Sequence, residues 1–326
     1  SRDTEQVLAL EWLLDTLQRE QADMLIVSGD VFDVTNPPVY AERAYYHFLN
    51  KVKTTTPCRH VVITGGNHDA PSKLDAPGDL LRAFNIHVAG AVKEHPADNI
   101  LLLKNADGTA EAIVAALPFL RERDVAQGVP GENVSERIDR IRAGIVQYYR
   151  DTAKAVESLC AQLPVQVPVI ATGHLYATGA SATEEQRNIY LGNLDHISAT
   201  DFDPVFDYVA LGHIHRAQRI GGQERIRYSG SLIPLSFSEI KDRKIVLIAD
   251  FTPEGRLSAV REVEAPLFRP LVTLRGTFAE LSEKIARLKP PKASALPPWL
   301  KVIVRAQDLP ANVNEALRKE AKEAGV

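Results

Sequence analysis

The sequence predicts an α/β protein built from two facing mixed sheets flanked by helices, with a small α+β unit at its end. Three observations point there. Short apolar runs alternate with amphipathic stretches through residues 4–263, several runs end directly in Gly-containing polar turns, and composition changes near Ala265-Pro266. Strands alternating with helices argue for parallel pairs covered by helices, where ligands collect beyond the carboxyl ends of the strands.

The elements follow in order. Residues 4–20 place Val7, Leu8, Leu10, Trp12, Leu13, Leu14 and Leu17 at helical spacing. Met24 to Val27 is a short buried strand ending at Ser28-Gly29-Asp30, and Tyr40 to Lys53 is a helix after the Pro37-Pro38 pair. His60 to Thr64 is the next strand. Apolar runs at 86–89, 99–103 and 112–116 precede a charged helical stretch over 134–161, then a strand from Val167 to Thr172 that leads into His174. Tyr208 to Leu211 leads into Gly212-His213, and segments at 225–228, 244–251 and 257–263 read as a strand-rich finish. Beyond Pro266 come a strand (271–274), a helix (278–288), a Pro/Ala/Ser linker through Pro298, a strand (300–305) and a helix (311–324). The chain therefore divides into a domain over 1–265 and a smaller one over 266–326, which carries no ligand-type cluster and is assigned to shape or partner recognition.

Composition bounds the function. A chain of 326 residues with 45% hydrophobic content has enough apolar material for a full core without staples. Its two cysteines, Cys58 and Cys160, lie far apart with no zinc-finger spacing, which favours a reducing, cytoplasmic setting. No apolar run approaches the roughly 20 residues that a membrane-spanning helix needs. The formal net charge of −4 gives no global attraction to nucleic acid. Local positive patches and bound cations can still dominate at a cleft, so charge neither supports nor excludes DNA.

The chemistry lies in four segments: Gly29-Asp30-Val31-Phe32-Asp33, Gly66-Asn67-His68-Asp69, Gly173-His174 and Gly212-His213-Ile214-His215. Each follows an apolar run that reads as a strand. Any one alone is an ordinary polar turn or a hydrogen-bonded structural histidine; the ordered set of four is the signal. Carboxylate, amide and imidazole groups at strand ends suit two divalent cations sharing a bridging hydroxide beside a phosphodiester. Asp30, on a tight turn after Gly29, is the bridging carboxylate. Asn67, His174 and His213 complete one metal's shell, and His215 reaches the other cation, since His-x-His in an extended segment puts both rings on one face. His68 is aimed at the phosphate, where it stabilises and protonates the departing alkoxide, and Asp33 holds and charges its ring. His47, His60, His87, His95 and His196 lack such settings.

With these four segments in this order, the chain resembles the calcineurin-like metallophosphoesterases. The stretches from Ala171 to Leu175, Tyr208 to Gln218 and Tyr228 to Phe237 narrow the resemblance to the branch that forms the nuclease subunit of bacterial complexes with an SMC-like ATPase, over about residues 4–326. That branch implies a four-layer αββα metallophosphoesterase sandwich with a small capping domain, and two divalent ions, Mn2+ first and Mg2+ as the alternative. It implies a homodimer through the nuclease domain. The implied activity is exonuclease action on double-stranded DNA and endonuclease action on single strands or hairpins, in DNA repair, recombination and replication. By motif position, Asp30, Asn67, His174, His213 and His215 inherit metal roles and His68 the catalytic one. Lys73, Arg82, Arg121, Arg123 and Arg216 flank the site loops and are the candidate DNA contacts.

One departure stands out. The resemblance implies an Asp-x-His after an N-terminal strand, upstream of the helix at 4–20, and these residues hold none. Because the chain opens at Ser1 and its one Met is Met24, the expectation is that this strand lies ahead of Ser1, and that ATPase-binding helices lie beyond Val326. Two other readings compete: a phosphoesterase for small phosphodiesters or phosphoproteins, against which the capping domain counts, and a non-catalytic phosphoesterase-fold scaffold, which only the missing segment supports.

Overall fold

A computed structural model describes residues 2–177, 179–181, 197–288, 296–305 and 312–325. Among them, helices α1 (Arg2–Arg19) and α2 (Val39–Thr55) flank a parallel three-stranded sheet of β1 (Met24–Ser28), β2 (His60–Thr64) and β3 (Ile86–Ala89) in that order. Period-2 alternation splits β2 between two cores. Val61 and Ile63 pack with Leu17 of α1 and Phe48, Leu49 and Val52 of α2, whereas Val62 points the other way, into a core shared with the second sheet. All five residues of β2 are buried, as expected of a strand covered on both faces.

The second sheet has six strands: β4 (Ile100–Lys104), β5 (Ala110–Ala115), β6 (Val169–His174), β7 (Tyr208–Gly212), β8 (Gln218–Ile220) and β9 (Gln223–Tyr228). Their order is β4-β5-β6-β7-β9-β8, with β5, β6, β7 and β9 parallel and antiparallel strands at both edges. Its inner face presents Ala112, Val114, Ile170 and Tyr208 to Val62 of the first sheet. Its outer face presents Ile113, Ala115, Val169, Ala171, Val209 and Leu211 to the long helix spanning Val134–Cys160, which contributes Ile141, Ile145, Tyr149 and Val156. An antiparallel hairpin, β10 (Ile245–Phe251) with β11 (Leu257–Glu264), adds Ala249, Phe251, Leu257 and Val260 to the inter-sheet core. Helix, sheet, sheet, helix is the four-layer arrangement that the resemblance implies, but among the described residues only the second sheet is mixed; the first is parallel throughout, not mixed as the sequence predicts.

Three one-turn helices, α3 (Pro71–Asp75), α4 (Gly78–Arg82) and α5 (Glu122–Val125), and the short strand β8 are not foreshadowed in the sequence. Each is too short to show periodicity and is set by what it packs against. The long helix, α6, begins with a reciprocal capping box in which Asn133 accepts from the Glu136 amide at 3.0 Å and Glu136 accepts from the Asn133 amide at 3.0 Å.

The C-terminal unit is a parallel pair, β12 (Leu271–Gly276) and β13 (Trp299–Val304), crossed by α7 (Phe278–Ala286) and followed by α8 (Val313–Glu323). Leu281, Ile285 and Leu317 form its own small core. Its Trp299 ring meets the guanidinium of Arg2, from the first domain, at 5.0 Å, and that of Arg269 at 4.9 Å. No helix among the described residues is long and apolar enough to cross a membrane. A cleft of about 1370 Å3 is lined by residues of β1 and β10 and by Asp30, His174, His213 and His215. Among the described residues β1 pairs only with β2, and β10 only with β11.

Candidate metal centre

The site forms because two loops are pressed together where the sheets meet. At the end of β1, Gly29 and Asp30 both take positive φ (84° and 50°), which turns the Asp30 carboxylate into the gap between the sheets. At the end of β7, Gly212 lies so close to β1 that a Cβ there would be 1.7 Å from the Ser28 carbonyl oxygen, so only glycine fits. The chain then turns at His213, a non-glycine residue held at φ 97°. Strained backbone of this kind typically costs about 1–3 kcal/mol and persists only where its surroundings enforce it. The sequence predicts an extended segment over 213–215; the structure corrects this, because the turn forced on the chain as Gly212 passes Ser28 re-aims the His213 ring.

Asp69 holds the two site loops of the first sheet together. Its buried carboxylate accepts from the amides of Gly66 (2.8 Å), Phe32 (2.9 Å) and Val31 (3.1 Å). Burial pushes its carboxyl upward, and the three amide bonds offset only part of that. The segment containing Asp69 is visible in the sequence, but its clamping role is not, because two of its three partners lie almost 40 residues away.

Four side chains converge. His174 is buried, and its Nδ1 lies 2.9 Å from the Ser28 carbonyl. A carbonyl only accepts, so Nδ1 carries a proton and Nε2 is turned to the other side. That Nε2 faces Asn67 Oδ1 at 2.9 Å, Asp30 Oδ2 at 3.1 Å and His213 Nδ1 at 3.2 Å, while Asn67 Oδ1 lies 3.0 Å from His213 Nδ1. Electron-pair donors pointed at one another repel unless a cation lies among them, and either a proton or a metal ion serves. Oxygen from a carboxylate and an amide with nitrogen from two imidazoles is a donor set suited to a divalent first-row metal. Asp30, His174 and His213 offer ligand atoms that all lie within 4.8 Å of one another. The residues present therefore fit a metal ion.

The electrostatics agree. Burial is the main cause that pushes His213 down to about 3, with the neighbouring His174 adding to it, so the ring stays neutral and keeps its lone pair at ordinary pH. Burial alone would raise the Asp30 carboxyl, but the hydrogen bond and charge of His174 outweigh it and hold Asp30 below the usual carboxylate range. The His68 amide also donates to Asp30 Oδ1 at 3.1 Å, tying the two loops at the site itself.

His215 lies outside this tight group but lines the same cleft as Asp30, His174 and His213. Its Nδ1 is 3.0 Å from Oε1 of Glu239, leaving Nε2 as the open ring nitrogen. Neither Glu239 nor Lys244, its ion-pair partner at 2.6 Å, stands out in the sequence. Burial would raise the Glu239 carboxyl, but the hydrogen bond from His215 and the charge of Lys244 bring it down to about 2. The visible signal nearby is the Tyr228 to Phe237 segment, which stops two residues short of Glu239.

His68 keeps its ring half in solvent, with Nδ1 2.9 Å from the Asp33 backbone carbonyl. The Asp33 carboxylate is 4.0 Å away and almost fully exposed, so Asp33 holds the ring through its main chain rather than through the side chain that the sequence suggests. Of the basic candidates, Lys73 pairs with Glu42 at 2.5 Å, Arg82 with Asp79 at 3.2 Å, Arg123 with Asp124 at 3.7 Å and Arg216 with Asp242 at 2.9 Å. Among the described residues Arg121 makes no ion pair. His196 lies outside the described residues.

Comparison with known proteins places this geometry. A family model for calcineurin-like phosphoesterases matches residues 4–217, and one described as Type 5 capsule protein repressor C-terminal domain matches residues 267–326. The SbcD subunit of nuclease SbcCD from Escherichia coli (strain K12) is 38% identical over 309 residues, covering 94% of this chain and 74% of that protein. The protein of the same name from Rhodobacter capsulatus is 34% identical over 332 residues (97% and 79%), and that from Bacillus subtilis 31% over 273 residues (83% and 67%). With the strand-end cluster seated inside the matched region, the chain belongs to the calcineurin-like phosphoesterase family, in the branch of the SbcD nuclease subunits.

Proposed function

We propose that this chain is the metal-dependent DNA nuclease subunit of an SbcCD-type complex, hydrolysing phosphodiester bonds as a double-strand exonuclease and a single-strand or hairpin endonuclease together with the ATPase SbcC, in DNA repair and recombination. The observation that carries it is the meeting of Asp30 Oδ2, Asn67 Oδ1 and His213 Nδ1 around His174 Nε2, beside an imidazole, His68, that is not part of the group.

In this reading Asp30, Asn67, His174 and His213 hold one divalent ion, and Asp30 and His215 serve a second, with Mn2+ as the favoured metal. Divalent ions held there neutralise charge on the phosphodiester and activate the attacking water. The rest is done by the chain. Gly29 and Gly212 bring the two loops within reach of each other, Asp69 fixes the loop ends, and the Ser28 carbonyl sets the His174 tautomer. With Nδ1 given to the Asp33 carbonyl, His68 has Nε2 to carry the proton that the departing alkoxide needs.

The reading includes an Asp-x-His strand seated in the cleft that β1 and β10 line. Its support is a cleft lined by these two strands, each paired on one side among the described residues, and by His215. It also includes a homodimer through the nuclease domain, supported by exposed apolar side chains at Val39, Tyr40, Tyr46, Leu80 and Phe84, and a cytoplasmic setting, supported by two cysteines with no disulfide between them.

The test is one gel assay with SbcC and Mn2+ present. The parent protein shortens linear duplex DNA, and His68→Ala abolishes cutting while Mn2+ binding is retained. Hydrolysis of a chromogenic diester with the duplex left intact would instead make it an enzyme of small phosphodiesters, and no cleavage of either would leave only a scaffold.

A further inference from the structure

The segment after β9 has no part in the proposed chemistry, yet it buries a charged pair against a site residue. Glu239 and Lys244 are 1% and 7% exposed. Taking such a pair out of water is costly, and its mutual attraction seldom returns a net gain in stability over apolar residues of similar size. The geometry shows where the two groups are directed. All three Lys244 ammonium hydrogens are used: on Glu239 Oε2 at 2.6 Å, on Ser231 Oγ at 2.8 Å and on the backbone carbonyl of His215 at 3.0 Å. Glu239 Oε2 also takes the Leu235 amide at 3.1 Å, which leaves Oε1 for the His215 ring at 3.0 Å. Lys244 thus holds the main chain of His215 and Glu239 holds its imidazole. Backbone at 229–231 closes over the same residue: the Ser231 amide donates to the His215 carbonyl at 3.2 Å, and a Cβ at Gly230 would be 2.7 Å from that oxygen.

We propose that Glu239, locked by Lys244, is a positioning residue that fixes the tautomer and orientation of the His215 ring and so sets how tightly the cation site served by His215 binds. A carboxylate on Nδ1 keeps the proton there, presents Nε2 to the cleft and raises the basicity of that nitrogen. The pattern matches His174, whose Nδ1 is held by a carbonyl, but with a full negative charge in the carbonyl's place. The two rings also differ in setting: the His215 side chain is 29% exposed and that of His174 is fully buried. This proposal rests on the reading of His215 as a metal ligand.

The experiment has two readouts on the full chain: the imidazole 15N shifts of His215 in metal-free protein, and Mn2+ affinity by titration calorimetry. The variants are Glu239→Leu/Lys244→Met, which replaces the whole pair with apolar groups of similar volume so that no buried charge is stranded, and Glu239→Gln, which keeps an acceptor but no charge. The double variant is expected to lose the exclusive Nδ1–H tautomer and to bind Mn2+ at the His215 site about 10–100-fold more weakly. Glu239→Gln is expected to keep the tautomer with a smaller loss of affinity. A double variant with the parent's shifts and affinity would overturn the proposal. His215→Ala separates this from the underlying reading: if it binds Mn2+ as tightly as the parent, the ligand role of His215 fails, while the 15N shifts still decide whether Glu239 positions the ring.

Discussion

The carbonyl of Ser28 receives the Nδ1 proton of His174 at 2.9 Å, across the gap between the two sheets. The last residue of β1 therefore decides which nitrogen of a β6 histidine faces the site. Because the contact uses main chain, no substitution at position 28 removes it, and the tautomer is fixed by how the sheets dock. His174→Gln keeps a donor but has no second nitrogen for the cluster. It is expected to fold and to bind Mn2+ about 100-fold more weakly or worse, since losing a ligand costs at least as much as the roughly 10–100-fold that losing a ligand's hydrogen-bond partner does; calorimetric titration checks this.

The same docking makes Gly212 irreplaceable. Gly212→Ala would put a methyl group 1.7 Å from the Ser28 oxygen, on backbone that cannot swing away. The sheets must part locally, with an expected loss of about 3 kcal/mol or more in unfolding free energy. Denaturant unfolding of the variant measures it. Gly108→Ala, at a turn with no atom within 4 Å of the added carbon, serves as the control in which only positive-φ strain is felt.

Asp69→Ala leaves three amides from two loops without their acceptor. About 1–3 kcal/mol per stranded buried group makes this one of the more damaging single changes. It is expected to lower the melting temperature and to weaken Mn2+ binding together, although Asp69 lies outside the ligand cluster. A variant that lost stability but kept full metal affinity would show that the loops hold their places without the clamp.

The acid limb of stability carries the mark of His213. Its ring titrates at 6.5 when exposed and at about 3 in the fold, chiefly because burial disfavours the charged form. Between those values the unfolded chain binds the extra proton, so folding stability rises with pH across this window and is lost as pH falls from 6.5 towards 3. Glu239 contributes at lower pH: with its carboxyl brought down from 4.5 to about 2, despite burial, the stability it adds above 4.5 is lost as pH falls towards 2. Melting temperatures of metal-free protein between pH 3 and 7 should fall on the acid side, less steeply in His213→Leu.

Most of the architecture could be read from apolar periodicity. The strands at 60–64 and 86–89 and the helix from 134 emerge where the pattern placed them, because each is long or hydrophobic enough to carry its own signal. The converging residues Asp30, Asn67, His174 and His213 could be read because Gly before a polar residue at a strand end is a local pattern. What could not be read was anything decided by docking: the reversed turn at His213, the main-chain rather than side-chain hold of Asp33 on His68, and Glu239, which meets His215 across 24 residues of loop and strand. The basic candidates show the same limit. Charge next to a motif says nothing of local partners, and Lys73 is held by Glu42 and Asn36. Arg121→Ala is accordingly expected to lower the salt dependence of DNA binding by about one counterion and Lys73→Ala by less, in titrations at several salt concentrations.

The central claim is that Asp30, Asn67, His174 and His213 share one cation. A crystal grown with Mn2+ and measured for anomalous scattering near the manganese edge tests it directly. A peak within bonding distance of Asp30 Oδ2, Asn67 Oδ1, His174 Nε2 and His213 Nδ1 is expected; clear density for all four side chains with no peak among them would contradict a shared cation.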